Sequence, residues 1–217
     1  MKRIAALALL CLGGAVLNVL TGNLFRNVLG VPLFMDTLFT VAMTFYGGPV
    51  CGVLTGLLTN PIVNMFNFYG WADILYALCN AAAALVTFFF IRLFPAELGF
   101  GAGKRITTGE ETRTNSPPGV LMNTLVALLL LSFVMCVVIS IQGGLIAILI
   151  QPLGGSSNPG PALFKSALFR KTLPPAVVEI LARIPLNVID RLLSVFGGCG
   201  VAALLWRFFP RKVVRGS

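Results

Sequence analysis

The stretch VLMNTLVALLLLSFVMCVVISIQGGLIAILI, residues 120–150, decides the fold: 31 consecutive residues without a charged side chain. A helix needs roughly 20 apolar residues to cross a bilayer core about 30 Å thick. Strand alternation is absent, and the run is too long and too evenly apolar for a barrel strand. An unpaired backbone amide is costly in lipid, and a helix satisfies its own. The stretch therefore predicts a membrane-spanning helix, and its excess length predicts an interruption. Gln142-Gly143-Gly144 is expected to end the crossing, with residues 145–150 lying along the interface or re-entering.

Similar runs lie on both sides. Residues 4–20 predict a first span, residues 33–46 a short second one closed by Gly47-Gly48-Pro49, and residues 50–66 a third with Pro61 as a kink. Residues 71–94 predict a fourth span and residues 176–209 a long last one. Residues 21–32 read as a polar connection. The sum is an all-α integral membrane bundle of six transmembrane helices, one transmembrane domain over residues 1–217. Of the 217 residues, 57% are hydrophobic and 11% charged, whereas a soluble domain carries about a quarter charged. Residues 95–118 change character to a hydrophilic linker, and residues 151–175 form a second loop rich in Gly, Pro and Ser.

The net charge of +9 reflects topology rather than a nucleic-acid surface. With the N-terminus inside, Lys2, Arg3, Arg92, Lys104, Arg105, Arg113, Arg207, Arg211, Lys212 and Arg215 fall on the cytoplasmic side. Only Arg26, Lys165, Arg170 and Lys171 fall outside, and Arg183 and Arg191 lie within the last helix. That bias is the one positive-inside topology requires, so both termini and the 95–118 loop are expected in the cytoplasm and the 151–175 loop outside. Lys2 and Arg3 ahead of an apolar run resemble a signal peptide. However, Leu9 and Leu10 precede Cys11 and no small-residue cleavage pattern follows, so an uncleaved first helix is expected.

Polar residues inside the spans are expensive unless they face one another or a wet cavity. Asn60, Asn64 and Asn67 are spaced four and three apart, and so share one face of the third span. Trp71, Asp73, Tyr76 and Asn80 begin the fourth, Asp36 lies near the outer end of the second, and Glu179, Arg183, Asn187 and Asp190 begin the last. In this topology they fall at similar outer depth on four helices. That argues for a shared cavity open to the outside, suited to a small polar or amphipathic molecule. Two plainer roles stay open: Glu179 and Arg183 are spaced for a pair along one helix, and Asn side chains bridge helices as structural glue. Trp71 or Tyr69 would stack on a ligand ring. Lys165, Arg170 and Lys171 would attract an anion or touch lipid headgroups.

Enzymatic chemistry is not expected. The sequence holds no histidine to activate a nucleophile, no phosphate-binding glycine loop, and no protease-like context around Asp36 or Asp73. The five cysteines lie in apolar runs without a CxxC pair, so neither a metal, another cofactor nor a disulfide frame is expected. Gly48, Gly52 and Gly56 form a small-residue face on the third span, for internal packing or for docking of a second membrane subunit.

Three segments carry a family resemblance. VPLFMDTLFT (31–40), YGGPVCGVLTG (46–56) and RIPLNVIDR (183–191) resemble the second, third and sixth helices of substrate-binding S components of energy-coupling-factor vitamin transporters. The resemblance implies a six-helix bundle in the cell membrane of a prokaryote that captures a vitamin or related micronutrient from outside. It also implies partners: a transmembrane coupling subunit and two cytoplasmic ATPases, which supply the energy this chain does not. Asn64, Asn67, Trp71, Asp73, Asn80, Glu179, Arg183 and Asn187 occupy the regions that contact substrate in that family. The first helix departs from the family's alanine-x-x-x-alanine docking face, offering Cys11 and Ala15 at that spacing instead. The alternatives are a multi-helix membrane sensor module signalling through a partner kinase, and an assembly factor whose interior is filled by side chains.

Overall fold

A computed structural model describes residues 2–67, 70–98, 118–153, 164–165 and 173–208, and among them there is no strand. Helix α1 spans Lys2–Asn23 and continues as a π-helical turn, Leu24–Val28. Next come α2, Leu38–Gly47, and α3, Pro49–Asn67. A 3₁₀ segment, Trp71–Tyr76, leads into α4, Ala77–Leu93, followed by the single turn α5, Pro95–Leu98. Two long helices complete the chain: α6, Pro118–Ile150, and α7, Pro175–Phe208.

Five segments are long and apolar enough to cross a membrane: Ala5–Val28, Pro49–Phe66, Trp71–Leu93, Leu121–Leu153 and Pro175–Phe208. The 10 residues of α2 extend only about 15 Å, half a bilayer core. Large apolar side chains such as Leu9, Leu12, Phe89, Val126, Phe133 and Leu204 are exposed around the outside. Such a surface is unfavourable in water and suited to acyl chains. The protein is a multi-pass helical membrane protein.

Cross-helix contacts fix the directions. Cys11 meets Cys51 and Asn18 meets Thr59, so α1 and α3 run parallel. Asn18 also meets Thr40, and Met43 lies beside Gly14, which sets α2 antiparallel to α1. Gly56 lies against the Asn80 backbone and Gly52 against Ala84, giving antiparallel α3 and α4. Ser140 meets Asn187 and Gly144 meets Ile180, giving antiparallel α6 and α7. The alternation brings the first turns of α1 and the last turns of α7 to one end, where Leu205 packs on the Cys11–Met43–Cys51 cluster.

Small residues set the close approaches. A Cβ on Gly56 would come within 2.8 Å of the Asn80 backbone, and one on Gly52 would collide with Thr44. The Gly52 and Gly56 face therefore packs inside the bundle. Cys11 and Ala15 are likewise buried, Cys11 against α3 and both on the inward stripe of α1 with Gly14 and Asn18. Fully buried Asn18 joins three helices: its Nδ2 donates to Thr40 Oγ1 (3.0 Å) and Thr59 Oγ1 (3.1 Å), and its Oδ1 accepts from the Phe39 N–H (2.8 Å).

Three boundaries differ from the sequence reading. The connection expected over residues 21–32 is helical as far as Val28. The second helix begins at Leu38 rather than at residue 33. Pro32 disfavours helix at the residue before it, and Gly30 and Met35 adopt left-handed φ of 65° and 45°. Leu33, Met35 and Thr37 are nonetheless buried, so residues 29–37 carry irregular backbone into the protein interior. Thirdly, α6 runs unbroken through Gln142-Gly143-Gly144. Those glycines serve packing rather than termination: a Cβ on Gly144 would lie 3.1 Å from the Ile180 backbone, and one on Gly143 3.5 Å from Arg183 Nη1. Residues 99–117, 154–163 and 166–172, with most of both expected loops, lie outside the described residues.

Candidate functional site

The buried asparagines of α3, α4 and α7, with Asp73 and Arg183, lie toward the end opposite the termini, where α3 ends and α4 and α7 begin. Asn80 Nδ2 donates to Asn60 Oδ1 across α3 and α4 (2.8 Å). Asn64 Nδ2 donates to the Gly70 carbonyl (3.1 Å), closing the turn ahead of the 3₁₀ segment. Asn187 Nδ2 donates to Ser140 Oγ between α7 and α6 (2.8 Å). Arg183 Nη2 donates to Tyr76 Oη (3.1 Å), and its guanidinium carbon lies 5.5 Å from the centre of the Tyr76 ring. Asp73 is buried one turn before Tyr76 and acts electrostatically on it.

Other expected residues stand apart from that group. Trp71 is 71% exposed, so its ring faces away from the buried group, at a position suited to an interfacial anchor. Glu179 does not pair with Arg183 one turn further along. It forms an ion pair with Lys165 instead, and its second oxygen, Oε2, is buried without a hydrogen bond. The Asn67 side chain, and Tyr69, Arg170 and Lys171, lie outside the described residues.

Of the strongest buried ionic cluster, the sequence placed Asp36 and Asp190 among the polar residues of the spans, but Arg191 and Thr37 were not expected at a site. Arg191 is 2% exposed and Asp190 0%. The Arg191 Nη2 pairs with Asp190, Nη1 donates to Thr37 Oγ1 (2.6 Å), and Asp36 lies 3.9 Å away. Asp190 Oδ1 accepts the Met35 N–H (2.8 Å), and Thr37 Oγ1 donates to Ser194 Oγ (3.2 Å). Charged and hydroxyl side chains of α7 thus hold the irregular backbone before α2. Non-helical backbone at membrane depth persists only where protein or water satisfies it. The signal was present in Asp36-Thr37 and in Asp190-Arg191. Neither pair shows from the sequence that the other segment lies beside it.

The two groups are neighbours. Cys79 on α4 lies beside Gly143 and feels the charges of Asp36, Arg191 and Arg183. Buried polar side chains of the two groups thus come from α2, α3, α4, α6 and α7, with Cys79 between them. Among the described residues, no group of three Cys, Asp or Glu side chains is placed to hold a metal ion. Comparisons with protein-family models, with curated proteins and with solved structures return no match.

Proposed function

We propose that this chain is a membrane-embedded binding subunit that captures a small polar organic solute, of the vitamin or micronutrient kind, for uptake. The observation that carries the reading is the gathering of Asn60, Asp73, Tyr76, Asn80, Arg183 and Asn187, from four elements, toward one end of a largely apolar bundle. Buried polar groups in lipid are costly, and such a concentration fits a function more readily than a need for stability. The segments 31–40, 46–56 and 183–191 support the same reading by their resemblance to S components of energy-coupling-factor transporters.

In this reading the chain crosses the membrane six times, α2 and the irregular residues 29–37 together making the second crossing. The bias of Lys and Arg supports cytoplasmic termini with the polar end outside, and the resemblance supports the membrane of a prokaryotic cell. A transmembrane coupling subunit and two ATPases supply the energy. With Cys11 and Ala15 buried, the coupling subunit meets the outward face of α1, where Gly13 has open space beside it.

Purification of the full chain from cells, with mass spectrometry of the bound small molecules, tests the reading. A micronutrient is expected to co-purify, and Arg183→Ala is expected to abolish its uptake. Absence of any such molecule, together with unchanged uptake in the variant, would overturn the proposal. Recovery of a sensor kinase in place of ATPases would replace it with a signalling role.

A further inference from the structure

Arg183 is 5% exposed, yet among the described residues it has no ion pair. The nearest carboxylate along its own helix face, Glu179, is engaged by Lys165. Its Nη2 reaches only the neutral hydroxyl of Tyr76, and its Nε is buried without any partner. A desolvated guanidinium with an idle donor is among the most costly arrangements a protein interior holds. Eight residues further along the same helix, Arg191 also has a buried Nε without a hydrogen bond, but its Nη atoms reach Asp190 and Thr37, with Asp36 3.9 Å away. One buried arginine therefore has carboxylates at ion-pair distance, and the other has none among the described residues.

Gly143 faces the guanidinium from α6 without a side chain, and an added Cβ there would stand at van der Waals distance, 3.5 Å from Nη1 and 3.7 Å from Cδ. Tyr76 provides an aromatic face and a hydroxyl, and Asn187 with Ser140 provides neutral polarity one turn away. From these observations we infer that Arg183 receives the carboxylate of a small organic anion, whose body lies against Tyr76 and Gly143. The inference rests on the solute-binding reading and narrows its substrate to a monoanion. A single guanidinium offers one positive charge and a planar fork that matches a carboxylate. A phosphate dianion would leave excess negative charge in a poorly solvated site. A lipid phosphodiester carries the right charge, but Arg183 faces the 3₁₀ segment and α6 rather than the outer surface.

The test is thermal unfolding of the full chain in phosphatidylcholine nanodiscs, with acetate, butyrate and benzoate as probes and their neutral amides as controls. At probe concentrations tenfold above Kd, at least one carboxylate is expected to raise Tm by roughly 3 °C, its amide having no effect. Arg183→Gln should remove that shift, and Arg183→Lys should retain part of it. Equal shifts with acid and amide, no shift with any acid, or an undiminished shift in folded Arg183→Gln would overturn the inference. So would a response confined to inorganic phosphate, or one seen only when phosphatidylglycerol replaces phosphatidylcholine, which would identify a lipid headgroup as the anion. Carboxylate binding without transport in cells would leave this site standing and remove the uptake reading. Co-purification of a neutral solute would do the reverse.

Discussion

Arg183 and Arg191 lie two turns apart on α7 and are almost equally buried, at 5% and 2% exposure, yet their surroundings are opposites. Arg191 is pinned by two aspartates and a threonine, and through Asp190 the same cluster holds the Met35 amide. Arg183 leans on a tyrosine ring and hydroxyl and, among the described residues, has no carboxylate at ion-pair distance; the Nε is idle in both. The first arrangement resembles a lock, with charge cancelled inside the protein and backbone order gained. The second has the form of a receptor, in which the missing counter-charge comes from elsewhere. Burial alone does not separate the two roles; the inventory of partners does.

Substitution tests that contrast directly. Arg191→Met strands Asp190 without its cation, and removing one member of a buried pair costs about 3–5 kcal/mol. Denaturation followed by circular dichroism should show this as the largest loss, and a Tm close to that of the parent would refute the lock. Gly144→Ala comes next. Its new methyl meets Ile180 Cγ1 at 2.6 Å and the Ile180 backbone at 3.1 Å, and overpacking of this kind costs about 1–3 kcal/mol. Since α6 carries Gly143 beside Arg183, the same variant should also weaken solute binding. The smallest effect on stability is expected for Arg183→Met. Methionine there removes the desolvation cost of the unpaired charge and forfeits the bond to Tyr76, two opposed changes that leave a net effect of about 1 kcal/mol or less. A large destabilisation there would make Arg183 a second structural residue and erase the contrast.

The long helices were legible because uninterrupted apolar runs admit few other readings: Pro61 inside α3 and the bounds of α7 follow the sequence closely. The start of α2 was not, because Leu33, Phe34 and Met35 are as apolar as a helix, and only φ values and the bond to Asp190 show otherwise. The expected break in α6 failed for a related reason. A glycine pair can end a helix or admit a neighbour, and Ile180, more than 30 residues later in sequence, decides which. At the site, the spacing of Asn60 and Asn80 on adjacent spans foretold their shared depth, and Tyr76 and Arg183 likewise. The pairing of Glu179 with Lys165, by contrast, depends on a loop whose path the sequence does not reveal.

Helix length carries a consequence of its own. The 19 residues of α3 extend about 28 Å, whereas the 33 of α6 and 34 of α7 extend about 50 Å. A hydrocarbon slab matched to α3 cannot contain the other two at the usual tilts of up to about 40°. The α6–α7 pair therefore projects beyond it into headgroups or water. The helix that carries both arginines, α7, is thus one of the two on which a change of bilayer thickness acts most, so lipid chain length becomes a physical variable of the site.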